Sequence, residues 1–112
     1  MVHSFTFHQL QVEVREWSTR NFGTNPALWK FLGVVEEVGE LAHAELKTLQ
    51  GIRTDEDHEA KGKDAVGDIL IYLADYCSRR GWDMQEIIEQ VWARVGARDW
   101  KKDPVKGGDR GK

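Results

Sequence analysis

The stretch VVEEVGELAHAELK, Val34 to Lys47, decides how the chain is read. It lies inside a longer run, from Pro26 to Leu49, with no interior proline and a glycine, Gly51, just beyond its end, so it predicts one long helix. Leu28, Leu32, Val35, Gly39, Ala42, Leu46 and Leu49 recur at steps of three and four and trace an apolar stripe. Val34, Val38 and Leu41 are also apolar and lie off that stripe, and a helix apolar on two sides is sandwiched between neighbours. Yet Glu36, Glu37 and Glu40 sit among them, and a carboxylate taken out of water is costly unless it is paired.

Working outward, three more helices are expected. One runs from Thr6 to Asn21 on the spacing of Phe7, Leu10, Val14 and Trp17, and is broken by NFGTNP before Pro26, a residue suited to a first helical position. Past the polar GIRTDEDHEAKGK, another covers Glu59 to Arg80 and stops before Gly81. The last covers Met84 to Arg98, capped by Asp83, with Ile87, Ile88, Val91, Trp92 and Val95 on its apolar face. No strand, repeat or second domain is apparent, so the expected fold is all-α: a small four-helix bundle in residues 1–102, with a Gly- and Lys-rich flexible tail over 103–112. In a chain this short, the second side of the long helix is expected to be covered by another copy, in a homodimer or homotetramer.

Composition excludes several classes. The 112 residues carry a formal net charge of −3, the wrong sign for a general nucleic-acid binder. Cys77 is the single cysteine, which rules out an internal disulfide and a cysteine-based zinc site; it reads as a small buried apolar residue. MVHSFTFHQL lacks the pattern of a signal peptide, and no apolar run approaches the ~20 residues needed to span a bilayer. A cytoplasmic protein with no membrane partner is expected. Trp29, Trp82 and Trp92 read as packing residues.

The acids fall into two ladders. Gly33, Glu37, Glu40 and Ala44 share one face of the long helix, with Glu36 beside Glu40. Asp64, Asp68, Ile71 and Asp75 share a face of the next helix, beside Gly67. A solvated acidic face usually mixes in basic residues, but none occurs between Gly33 and His43 or between Asp64 and Cys77. Mg²⁺, with Mn²⁺ as a substitute, takes oxygen ligands and commonly bridges carboxylates to phosphates, so two antiparallel helices bearing such ladders suit it.

EEVGEL at Glu36–Leu41 followed by DAVGDILIYLADYC at Asp64–Cys77 resembles the MazG-like branch of the all-α nucleotide pyrophosphohydrolases, a superfamily that includes dimeric dUTPases and dCTP pyrophosphatases. The family signature is Glu-Glu-x-x-Glu, a gap, then Glu-x-x-Asp. EWSTRNFG resembles the family's first helix and RDW, Arg98 to Trp100, its C-terminal end, so the likeness covers roughly Val12 to Lys102. One position departs: Ala65 stands where the family has glutamate, and Asp64, on the face of Asp68, is expected to take over its role. The resemblance implies an all-α pyrophosphohydrolase bundle completed by oligomerisation. It further implies hydrolysis of a nucleoside triphosphate to the monophosphate and pyrophosphate, as nucleotide-pool housecleaning. Glu37, Glu40, Asp64 and Asp68 would be metal ligands, and Glu36 the water-activating base or a ligand to a second ion. Lys47, Arg98 and Lys101 would contact phosphates, with Arg53 a weaker candidate; Trp17 would stack on the base and Asp75 read the sugar or base. Each of these residues also has an ordinary reading, as a surface charge or, for Trp17, as core.

Two other readings stay open on the residues alone. ELAH, Glu40 to His43, has the Glu-x-x-His spacing of di-iron bundles, for which DEDH ending at His58 offers a poor second copy. A non-catalytic helical interaction domain with surface acids is the other.

Overall fold

The computed structural model describes residues 5–108. Among them there are four helices and no strand: α1 Phe7–Phe22, α2 Ala27–Gln50, α3 His58–Arg80 and α4 Met84–Val95. No described helix is long and apolar enough to cross a membrane.

Local chemistry sets the ends. Thr6, Asp57 and Asp83 cap α1, α3 and α4 by accepting from the amides of Gln9, Ala60 and Glu86. Pro26 stands at the cap of α2 in extended conformation, one residue outside the helix it was expected to start. Gly51 and Gly81 close α2 and α3 in the left-handed region, at φ 67° and 71°, where a side chain would be strained. The last helix ends at Val95, three residues short of Arg98, where the Gly96 amide returns to the Trp92 carbonyl. Residues 97–108 fold back as a compact loop. Asp99 accepts from the amides of Lys101 and Lys102, Asp103 from those of Val105, Lys106 and Gly108, and the Asp99 amide reaches the Gly107 carbonyl. Local order therefore extends past residue 102 to 108; the end of the expected tail, 109–112, lies outside the described residues.

The helices pack unequally. Antiparallel α2 and α3 lie against each other, α1 packs on α3, and α4 packs on α1. Val14, Ala74, Cys77 and Met84 form a small buried core where α1, α3 and α4 meet, with Phe7, Leu10, Leu70, Leu73 and Ile88 around it. The Cys77 thiol is held in its neutral form by that burial, which raises its pKa. Gln11 ties the corner together, donating to Ser78 and the Trp82 carbonyl and accepting from the Met84 amide.

Which face of α2 meets α3 corrects the sequence reading. The buried α2 residues are Lys30, Gly33 and Ala44, and the leucine stripe points the other way, into solvent. The reason is steric: a Cβ on Gly33 would fall 2.4 Å from the Tyr72 ring, so only glycine lets α3 approach there. Trp29, Trp82 and Trp92, expected as packing residues, are all exposed in the single chain.

Candidate functional site

Because α2 meets α3 through small residues, the two acidic ladders face each other across a narrow gap. Glu37, Glu40, Asp64 and Asp68 line one cleft of about 440 Å³, floored by Ala44 and the buried Ala65. Four of the five carboxylates proposed as metal or catalytic groups are thus brought together; Glu36, exposed on the shoulder of α2, lines no described cleft. Among the described residues, none of these five acids has a basic partner within ion-pairing distance.

The electrostatic consequence falls on Glu37. Partial burial raises its pKa, and repulsion from Asp68, Glu36 and Glu40 raises it further. No three Asp, Glu, His or Cys side chains among the described residues converge as they stand on a point that would hold a metal ion. Glu40, Asp64 and Asp68 are exposed, so their carboxylates are free to turn into the cleft. The donor set, all oxygen and uncompensated, is of the kind a hard divalent cation takes.

The rest of the lining is mixed in charge. Arg53, Lys61, His43 and Glu56 complete the lining. Lys61 is paired with Glu56, whose hydrogen bond from the ammonium holds its pKa below the ordinary carboxylate value. Arg53 is the only non-glycine residue with positive φ among those described, at 51°, and strain of this kind gathers at functional loops. Of DEDH only Glu56 lines the cleft with Glu40 and His43, and it pairs with Lys61; His58 does not line it, its Nε2 contacting the Ile52 carbonyl, and Asp57 caps α3.

A second pocket, of about 400 Å³, shares Glu37 and Asp68 with the first. Its other walls are aromatic or apolar — Trp17, Phe22, Ile71 and Tyr72 — and at its base lie Lys30 and Asp75. Trp17 and Phe22 meet edge to face at 5.5 Å, and Trp17 is nearly half exposed, so it is a pocket wall and not core. Asp75 is 4% exposed; its Oδ2 accepts from Ser18 Oγ at 2.7 Å and pairs with the buried Lys30 at 3.2 Å. Arg79 Nε stands 3.5 Å from Oδ1 without a hydrogen bond, while its Nη2 donates to the Gly23 carbonyl.

The remaining expected contacts lie elsewhere in the single chain. Lys47 bonds to Gln50 near the end of α2, and neither it, Arg98 nor Lys101 lines either pocket. Lys61, Glu56 and Lys30 escaped the sequence reading. Lys30 was visible in principle, since it continues the Gly33–Glu37 face one turn toward the N-terminus. No family model matches this chain, and no curated protein or solved structure matches it.

Proposed function

We propose that this chain is a Mg²⁺-dependent nucleoside triphosphate pyrophosphohydrolase of the MazG-like type, acting as a homo-oligomeric four-helix bundle. The observation that carries this reading is the pair of joined pockets. An uncompensated carboxylate cleft lined also by Arg53 and Lys61 adjoins an aromatic pocket, the two sharing Glu37 and Asp68 as walls. A charged triphosphate beside a flat, apolar-faced base has the same polarity.

Glu37, Glu40, Asp64 and Asp68 would hold the metal ion, with Mn²⁺ as a substitute. When bound, it would offset phosphate charge and polarise the phosphoryl group under attack. Arg53 and Lys61 would meet the outer phosphates, and Trp17 would present a ring face to the base. Glu36, beside Glu37 on the shoulder of α2, would turn inward to orient or deprotonate the attacking water or to hold a second ion. Asp75 is held by Ser18 and Lys30, so its part is to fix the base pocket's wall as a positioning residue.

The test is a panel of ribo- and deoxyribonucleoside triphosphates with Mg²⁺, scored for pyrophosphate and orthophosphate. Pyrophosphate with the matching monophosphate, lost on chelation, is expected. Orthophosphate alone would exclude this reaction, and turnover restored by iron alone would favour the di-iron reading.

A further inference from the structure

We infer that Glu56 is the chain's own occupant of an anion subsite at the α2–α3 loop, and that a pyrophosphate group takes the subsite by displacing the Glu56 carboxylate from Lys61. The inference rests on the reading of the cleft given above and adds to it a residue that competes with the ligand. Glu56 differs from the other acids of the cleft. Glu37, Glu40, Asp64 and Asp68 have no basic partner among the described residues, whereas Glu56 accepts a hydrogen bond from the Lys61 ammonium and pairs with it. Arg53 and His58 attract the same carboxylate.

The loop builds this contact and leaves it replaceable. The Glu56 amide donates to the Arg53 carbonyl, closing a turn that sets both residues on the cleft wall. That bond belongs to the backbone and survives a change of side chain. Capping of α3 falls to the next residue, Asp57. The Glu56–Lys61 pair is open to solvent, Lys61 at 56% and Glu56 at 31%, and an ion pair of this kind contributes little to stability. A carboxylate offers the cations one charge. A pyrophosphate group offers several charges and more oxygens, so it can engage Lys61 and Arg53 together. Lys61 lies on α3 one turn before Asp64, so a phosphate on its ammonium stands next to the carboxylates read as metal ligands. A carboxylate that returns to Lys61 also favours release of the anion.

Calorimetric titration with inorganic pyrophosphate, in excess Mg²⁺ and at about 0.15 M salt to screen distant charge, tests this without turnover. Glu56→Gln should bind pyrophosphate about fivefold more tightly than wild type, the scale of one exposed ion pair, and should bind nucleoside monophosphate, which lacks that group, as wild type does. In a Lys61→Met background, Glu56→Gln should lose most of that gain. Glu59→Gln removes the same charge from the exposed pair with Lys63, outside the cleft, and should leave pyrophosphate affinity unchanged. A Glu56→Gln affinity equal to wild type would overturn the inference. So would an equal gain in Glu59→Gln, a gain that persists in full without Lys61, or no pyrophosphate binding by either protein. Failure of the proposed reaction would show differently, as triphosphates left uncleaved whichever way the pyrophosphate affinities fall.

Discussion

Asp75 and Asp68 stand on the same face of the same helix, and the protein treats them in opposite ways. Asp75 is buried and answered: Ser18 donates to it, Lys30 pairs with it and Arg79 lies alongside. Asp68, two turns earlier, is exposed, stands beside Asp64 and faces Glu37 and Glu40 across the cleft, and has no basic partner among the described residues. Charge on a helix ladder therefore has no single meaning. One end of this ladder is structural, its charge met by Lys30, and the other adds to the repulsion that raises the pKa of Glu37. On the reading proposed above, this uncompensated cluster is where a divalent cation would bind.

The comparison breaks most sharply at its structural end. Asp75→Ala strands the Lys30 ammonium in a buried position and should cost about 3–5 kcal/mol of stability, read as a lower denaturation midpoint. Replacing Asp68 with Asn should do the reverse, leaving the metal-free protein as stable as wild type or more so.

At the functional end, Glu37→Gln should lower turnover about 10²–10³-fold, roughly 3–4 kcal/mol of lost transition-state stabilisation, while removing the repulsion that now acts on Glu37. The pH dependence has a definite sign. The folded-state pKa of Glu37 is raised, so its contribution to stability is complete below the ordinary carboxylate value and is lost as pH rises through the raised one. Metal-free wild type should thus lose stability over that window relative to Glu37→Gln, as parallel pH-dependent melts would record. Mg²⁺ competes with the same proton, so its affinity should fall as pH drops through the window.

The boundary between the two ends is Gly33, which sets how closely α2 and α3 approach. Gly33→Ala must push the Tyr72 ring aside, and should cost about 1–3 kcal/mol by overpacking. Because Tyr72 also lines the aromatic pocket, KM should rise more than kcat falls.

Much of this was legible in the sequence, and what was not has physical causes. Helix periodicity and turn residues place all four helices within a few residues. The spacing of Glu37 and Glu40, and of Asp64 and Asp68, puts each pair on one face, and the structure sets the two faces on one cleft. Periodicity cannot say which apolar face meets its own chain. The leucine stripe is the stronger signal on α2, yet α3 sits on the glycine and alanine side, where the packing signal is an absence of bulk. Glu56 joins the cleft through the loop before α3, which no spacing encodes, whereas Lys61 lies on α3 one turn before Asp64 and was legible by the same spacing. Arg98 and Lys101, expected at the phosphates from the resemblance, and Lys47, expected there from its place beyond Glu40, line neither pocket in a single copy.

Thermal melts with and without Mg²⁺, at fixed protein concentration and pH 7.5, put the uncompensated cluster to the most direct test. A cation that binds only the folded state should stabilise wild type by about 2.7 kcal/mol at a hundredfold excess over its Kd, a rise of several degrees in Tm. Asp64→Asn, which keeps the side chain's size and loses its charge, should melt no lower than wild type in EDTA and lose most of the Mg²⁺-induced rise. A wild-type Tm unmoved by Mg²⁺ and Mn²⁺, in the presence and absence of nucleotide, would contradict a cation site between α2 and α3 and leave the four acids a solvated surface.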